Sequence, residues 1–344
     1  MIRQPNHQQG VALIIALVIT TIAVSLASLA MYRQQLQIRL SGNILSLEQA
    51  YEYAVGMEDW SKKILEQDYN DNPNVDSLQE DWATLLPPIP IPGGSLTGQL
   101  FDLQGRINLN ALALDYKPKK TTAVRGTSAG GGKQVYKTDD LIYNRIVTLI
   151  QKIDTEQTLG PPQNFTDTIQ DWIDKDDEEK EGGAESNYYQ SLEKPYMTAN
   201  ALITNPSEVL LLKGMTKELY GKLLPFISTS PSKTINVNTA PKEVLEAVGF
   251  DTNAVNSIIK LRDEAPFESM TDFWDSTEVK DLFDPKTELG KRKKDYSITL
   301  GNTTNYFLLK GQVNINNTRI FINSILERKK GKVRVIMRDY GNPF

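Results

Sequence analysis

Between Val11 and Tyr32 the chain carries no charged residue, and that single run limits what the remainder can be. It opens with Val11-Ala-Leu-Ile-Ile-Ala-Leu-Val-Ile19, and as a helix rising about 1.5 Å per residue it is long enough to cross a hydrocarbon layer of about 30 Å. A secretory signal has a shorter apolar core followed by small-residue cleavage positions. Here the helical pattern continues through Arg33, which favours a membrane anchor. Arg3 lies on one side of the run and Arg33 and Arg39 on the other, so basic residues alone do not orient it.

Behind the anchor the composition is that of a soluble body. The 344 residues are 40% hydrophobic and 24% charged, enough chain for about two domains. With no cysteine, disulfides, thiolate nucleophiles and cysteine-held zinc or iron-sulfur centres are excluded. The only histidine is His7, so histidine triads and histidine-metal clusters are excluded from the body. A net charge of -5 argues against a general nucleic-acid binder.

A short polar leader, residues 1–10, ends in Gly10 immediately before the apolar run. This junction resembles a type IV prepilin leader, which an inner-membrane prepilin peptidase cuts after the glycine. The new N-terminus is then Val11, and the body lies outside the cytoplasm. A single-pass anchor with an incidental glycine is the plainer reading of the same residues. Most pilin-like proteins carry glutamate five residues after the cut, and here that position is Ile15. A charge in hydrocarbon costs about 2.5–3.5 kcal/mol on insertion scales, so such a glutamate is kept only where it has a partner. In the family it is thought to meet the N-terminal amine of a neighbouring subunit. Ile15 cannot do so, which suits a terminal place in an assembly.

Beyond the span, Leu36, Leu40, Leu47, Ala50, Ala54 and Ile64 keep largely three- and four-residue spacing, predicting one helix from about Val11 to about Glu66 with an apolar stripe for a sheet. Asn70 to Pro73 and the proline-rich stretch Pro87 to Gly94 break regular structure, and Leu96 to Asn110 reads as a strand or hairpin turning at Gly105. Tyr306–Ile315, Thr318–Glu327 and Lys332–Arg338 are strand-length runs. The expected fold class is α+β, a long N-terminal helix on an antiparallel sheet with a large helical insertion. By residue, 11–70 form the helix, 71–116 and 295–344 the β region, 117–137 a flexible linker and 138–294 the insert. The linker is basic and glycine-rich but lacks phosphate-loop spacing: Gly126 is misplaced by one, and Gln134 follows Lys133.

Within the insert a repeat recurs at an offset of 35 residues. Pro206, Glu208, Val209, Leu210 and Gly214 match Pro241, Glu243, Val244, Leu245 and Gly249. Each copy predicts a helix begun near proline and closed by glycine, then a second helix, and the two hairpins are expected to stack. The pattern resembles SAM-like or helix-hairpin-helix modules, many of which bind DNA through a Gly-hydrophobic-Gly hairpin. Here that hairpin reads Gly249-Phe250-Asp251. From Thr234 to Trp274 three basic residues face seven acidic ones, which favours a scaffold and no nucleic-acid partner. The alternative is a membrane-anchored DNA-binding protein of a competence or pilus apparatus.

From Asp171 to Glu179, six of nine residues are acidic. They repel one another unless they are solvated or bridged by a cation, and calcium accepts six to eight oxygens from such loops. The two readings stand even, and EF-hand spacing is absent. Carboxylates crowded on one loop do not flank a sugar substrate, so glycoside hydrolysis is disfavoured.

As a whole the chain resembles the K-type minor pseudopilins of bacterial type II secretion systems. The resemblance rests on Gly10-Val11 with Ile15, Phe101-Asp-Leu-Gln-Gly-Arg-Ile-Asn-Leu-Asn110, Asp171-Trp-Ile-Asp174 with Asp176 and Gly183-Ala-Glu185, Ser207-Glu-Val-Leu210 before Gly214, and Ile235-Asn-Val-Asn-Thr-Ala-Pro241. It implies a pilin fold with a helical insert and a non-enzymatic role. The protein would cap a periplasmic pseudopilus and start its assembly with I- and J-type minor pseudopilins through N-terminal helix contacts, anchored in the inner membrane with its body in the periplasm. It also implies calcium in the insert, carried by motif position to Asp174, Asp176 and Glu185, with Asp177 and Asn187 as further candidates.

Overall fold

The computed structural model describes residues 8–85, 87–113 and 138–341, so leader residues 1–7 and the whole 117–137 linker fall outside it. Helix α1 (Gln8–Asp71) is unbroken because it contains no proline, and it stops where Pro73 disfavours helical backbone in the residue before it. Its buried stripe begins only at Ser46 and continues through Ala50, Ala54, Met57, Glu58, Ser61 and Leu65. Leu36, Leu40 and Leu47 keep helical spacing but stay exposed, the first two before the first sheet contact at Ser46 and Leu47 on a face turned away from it.

Strand β1 (Ile89–Ile91) sits inside the proline-rich stretch that the sequence marks as irregular. It tolerates Pro90 because it is an edge strand. Strand β2 (Gly94–Asp102) runs straight, and Gly105 turns the chain into β3 (Ile107–Asn108). Of the two readings of this segment, the strand holds in β2 and the hairpin does not form: β3 pairs in parallel with a strand of the insert. Ile107, Leu109 and Ala111 pack into the insert's core, so the chain leaves the sheet before residue 116.

The insert follows with α2 (Thr138–Ile153), α3 (Pro162–Ile173), α4 (Ser186–Gln190), a 3₁₀ turn (Pro206–Leu211) and α5 (Lys217–Leu223). Strands β4 (Ile227–Ser228) and β5 (Ile235–Asn236), then α6 (Lys242–Val248) and α7 (Thr252–Glu264), complete the repeat region. Short helices α8 (Met270–Asp275), α9 (Thr277–Leu282), α10 (Glu288–Lys291) and α11 (Lys293–Thr299) lead through β6 (Leu300–Gly301) to β7 (Tyr306–Ile315), β8 (Thr318–Lys329) and β9 (Lys332–Asp339). The main sheet is antiparallel in the order β1-β2-β7-β8-β9.

In the repeat, Gly214 and Gly249 both adopt left-handed backbone, with φ of 81° and 116°. Thr216 and Asp251, also 35 positions apart, both cap the helix that follows. The first copy opens with a 3₁₀ turn where a helix was expected, and both copies pack on α2.

Two hydrophobic cores result, one between α1 and the sheet and one inside the insert. Close approach of α1 depends on Gly98 and Gly311, cross-strand partners beneath Met57. A Cβ would lie 2.6 Å from its Sδ at Gly98 and 2.5 Å from it at Gly311. Polar bonds then fix the helix along its length. Asn316 Nδ2 donates to Ser46 Oγ (3.0 Å) at the stem end. Midway, buried Glu58 accepts from Ser324 Oγ (2.7 Å) and from Arg338 Nε (2.8 Å) and Nη2 (2.5 Å). At the far end, buried Arg328 donates to Asp68 Oδ2 (2.7 Å), Asp76, Leu65 O (3.3 Å) and Thr304 O (2.9 Å).

The insert is attached at this far end. Asn236 Nδ2 donates to Asp76 O (2.9 Å) and Thr304 Oγ1 (3.0 Å), and Gln79 Nε2 donates to Arg262 O (3.0 Å). The sheet therefore separates the insert from the exposed stem.

Burial pushes the Glu58 carboxyl up, but Arg338 and Ser324 outweigh it and hold it below its ordinary value of 4.5. A depressed carboxyl stabilises the fold above its unfolded pKa and ceases to do so as pH falls through the folded one. Glu58→Gln should therefore cost about 1–3 kcal/mol at neutral pH. Urea melts of the full chain in detergent should show the two proteins converging in stability below about pH 4. A constant difference down to acid pH would show that Glu58 acts through packing alone.

Candidate functional site

The sequence motifs in the body fall into two physical kinds. Most are amide clamps. Asn108 Nδ2 donates to Ser230 O (2.6 Å) and Ser232 O (2.6 Å), while Asn110 donates to Ile203 O (2.9 Å) and accepts from Ile203 N (2.8 Å). Asn238 pairs in the same two-way manner with Phe267, through bonds of 3.1 and 2.9 Å. These buried side chains satisfy loop backbone that has no strand partner, so they tie the loops of the insert to one another and to the chain entering it, and offer nothing to a ligand.

The acidic loop is different. It runs from the end of α3, where Asp174 is the C-cap, to Glu185, the N-cap of α4. Single oxygens of Asp174, Asp176 and Glu185 lie within 4.8 Å of one another. Asp174 Oδ1 and Glu185 Oε1 are buried without a hydrogen-bond partner, and so is Oδ1 of Asn200. Asn200 holds left-handed backbone (φ 45°) and donates through Nδ2 to Asp177 Oδ1 (3.4 Å), which brings the two strands of the loop together. Asp177 is outside the three-carboxylate group, and Asn187 is exposed on the first turn of α4.

The supporting residues give the loop its shape. Asp171 is fully buried and accepts from Lys180 Nζ (3.1 Å) and Lys180 N (3.2 Å), while the same ammonium reaches Asp174 Oδ2 (2.7 Å). Lys180 thus neutralises one side of the cluster and leaves the three unpartnered oxygens on Asp174, Glu185 and Asn200. Burial, with the nearby charges of Asp171 and Asp174, pushes the Glu185 carboxyl up to about 7, and the hydroxyl of Thr198 only partly opposes this. Beneath the loop Trp172, Tyr189 and Tyr196 pack ring against ring, with centroids 5.1–6.4 Å apart. Hard oxygen donors without histidine or cysteine fit calcium or magnesium better than a transition metal. Sequence spacing did not indicate Asn200, because it enters from beyond the aromatic turn, and its only local sign is the left-handed backbone.

The second candidate, the helix-hairpin-helix turn, is already filled. Asp251 Oδ1 accepts from Asn253 N (2.9 Å) and Ala254 N (2.9 Å), so the first amides of α7 meet a carboxylate of their own chain. Of the membrane-end residues, Val11 and Ile15 lie on α1 with more than half of their surface exposed, and Gly10 is within the helix. Among the described residues α1 is the one helix long and apolar enough to cross a membrane, with a window of mean hydropathy 2.6 and nothing buried in it.

Two models of the type II secretion system (T2SS) protein K family match residues 105–232 and 235–290. The type II secretion system protein K of Pseudomonas aeruginosa is 33% identical, covering 97% of this chain and 93% of its own length. The chain belongs to the type II secretion system protein K family. The protein K of Aeromonas hydrophila is 29% identical over 97% of both chains. A chain in the crystal structure of the GspK–GspI–GspJ complex from the enterotoxigenic Escherichia coli type 2 secretion system superposes with a TM-score of 0.67 at 23% identity. The match covers 86% of this chain and 97% of that one, so the architecture is shared.

The acidic loop leaves no room at Gly183, where a Cβ would fall on Asp171 Oδ2. Gly183→Ala should therefore displace the Asp171–Lys180 pair and destabilise the fold by about 1–3 kcal/mol, measured by denaturant unfolding. A variant as stable as the parent would show that the loop is not fixed by this contact.

Proposed function

We propose that the chain is a minor pseudopilin that caps the type II secretion pseudopilus and starts its assembly with I- and J-type partners. The observation that carries this reading is the placement of the insert. It is held at residues 72–79, just past the end of α1 at Asp71 and at the opposite end of the sheet from Ser46, where the bare stem begins. From Ser46 to Asp71 α1 spans about 38 Å at 1.5 Å per residue. Bulk at that end would block a subunit from stacking above, while the exposed faces of Leu36, Leu40, Ile44 and Leu47 remain for helices beside and below. Ile15 gives the stem no carboxylate for a neighbour's amine, again suiting an end position. In this reading prepilin peptidase cuts between Gly10 and Val11, α1 anchors in the inner membrane and the body stands in the periplasm. The role is structural and not enzymatic.

Immunogold labelling of pseudopili that contain this subunit should mark one end, and mass analysis of the labelled subunit should begin at Val11. Label along the shaft, or an intact leader in functional pili, would overturn the assignment.

The same reading gives the acidic loop a calcium ion held by Asp174, Asp176 and Glu185, with Asn200 as an added amide ligand; Asp177 and Asn187 stand at its margin. The support is the trio of buried unpartnered oxygens on Asp174, Glu185 and Asn200. Calcium bound there would neutralise the crowded carboxylates and tie the segment after α3 to the segment at Asn200. The two repeat hairpins serve as SAM-like scaffold around α2. Calcium should stabilise the full chain by about 2.7 kcal/mol at one hundred times its Kd. Asp174→Ala, Asp176→Ala and Asn200→Ala should each lower the metal content and reduce that gain. Unchanged metal content in these variants would remove them as ligands.

A further inference from the structure

The carboxylates of the acidic loop have a cation from their own chain. Lys180 Nζ lies 3.1 Å from Asp171 Oδ1 and 2.7 Å from Asp174 Oδ2, so it bridges the last turn of α3 and its C-cap. The backbone of Lys180 is fixed on both sides: its N–H donates to Asp171 Oδ2 (3.2 Å), and its carbonyl accepts from Gly183 N (3.0 Å). The side chain is held only at its tip. It is 34% exposed and lies outside any helix or strand, so rotation about its own bonds takes the ammonium to water without moving the loop.

Asp174 faces two ways. Its Oδ2 is held by the ammonium, while its Oδ1 is buried without a partner beside Glu185, whose Oε1 is also unpartnered on a residue only 1% exposed. Asp174, Asp176, Glu185 and Asn200 offer one oxygen each, whereas calcium takes six to eight. The second oxygen of Asp174 is a further donor on the same carboxylate, and Lys180 holds it. A divalent ion and an ammonium on one carboxylate also repel each other at short range, where little water screens them.

We propose that Lys180 is a tethered competitor of calcium, whose release from Asp174 is part of the binding step and sets the concentration at which the loop fills. The inference rests on the calcium reading above. Without a divalent ion the ammonium stabilises the crowded carboxylates, and that stabilisation is given up when calcium enters. Affinity is therefore lower than the oxygen donors alone would give. Fully buried Asp171 keeps the backbone N–H of Lys180 throughout, so it is never left bare. A lysine that merely shaped the loop for calcium would have the opposite effect on affinity. Lys175 carries the same charge on the exposed part of the loop and forms no ion pair among the described residues.

The test is calorimetric titration of calcium chloride into the EDTA-stripped full chain in non-ionic detergent. Lys180→Met should bind calcium about tenfold more tightly than the parent and melt lower than the parent in EDTA. Lys175→Met removes the same charge and should change affinity by about twofold or less. A second measurement needs no variant and decides the question should Lys180→Met fold poorly. In the parent chain, acetylation by an N-hydroxysuccinimide ester is followed by peptide mass spectrometry. Calcium should raise the rate at Lys180 several-fold and leave Lys175 unchanged. If the parent binds calcium but Lys180→Met binds it equally or more weakly, or calcium leaves the Lys180 amine as slow to react as before, the proposal is overturned and the calcium site stands. Absence of calcium binding by both parent and variant would overturn the site itself and this inference with it.

Discussion

The buried guanidinium of Arg328 is the point on which the two halves of the molecule depend. It projects from β8 and gathers Asp68 near the end of α1, Asp76 in the segment that follows, and the carbonyls of Leu65 and Thr304. Asp76 and Thr304 are also the groups that receive Asn236 from the insert. A planar donor set with a fixed fork can hold several acceptors at once in a way an ammonium cannot, so lysine would be a poor replacement. Burial pushes the Asp76 carboxyl up to about 7 even beside this cation, so the cluster trades desolvation against geometry. Its value lies in orienting three elements as much as in net stability.

Much of the fold was legible because its strongest patterns involve burial on one face. Strands β7, β8 and β9 were readable as strand-length runs, the last with clear alternation, and α1 from its helical spacing. The extent of burial was not legible. Leu36, Leu40 and Leu47 have the same spacing as Ala50 and Ala54, yet only the alanines meet the sheet, since periodicity gives a face without saying what covers it. Strand β1 was hidden by its prolines, whose missing amide matters little at an edge. The path after β2 was hidden because β3 finds its partner, β4, more than a hundred residues later.

In the candidate metal loop, composition marked only an acidic run and the family resemblance singled out Asp174, Asp176 and Glu185; neither showed how the cluster is held. Lys180, which the run of acidic residues gave no reason to single out, pairs with Asp171 and Asp174, beside the three carboxylates that come within 4.8 Å of one another. Asp251 looked like a spoiled phosphate loop and is a helix cap. Both cases turn on direction: side-chain type was evident from the sequence, and what each side chain faces came only from the fold.

The continuity of α1 has a mechanical consequence. The uncharged run ends at Tyr32 and the sheet first meets the helix at Ser46, so about 20 Å of bare helix separates the two at 1.5 Å per residue. With the run in a bilayer, the head stands clear of the lipid surface on a stiff stalk. No proline interrupts that stalk, so a displacement of its base would carry the head with it, and lifting the base lifts the crown.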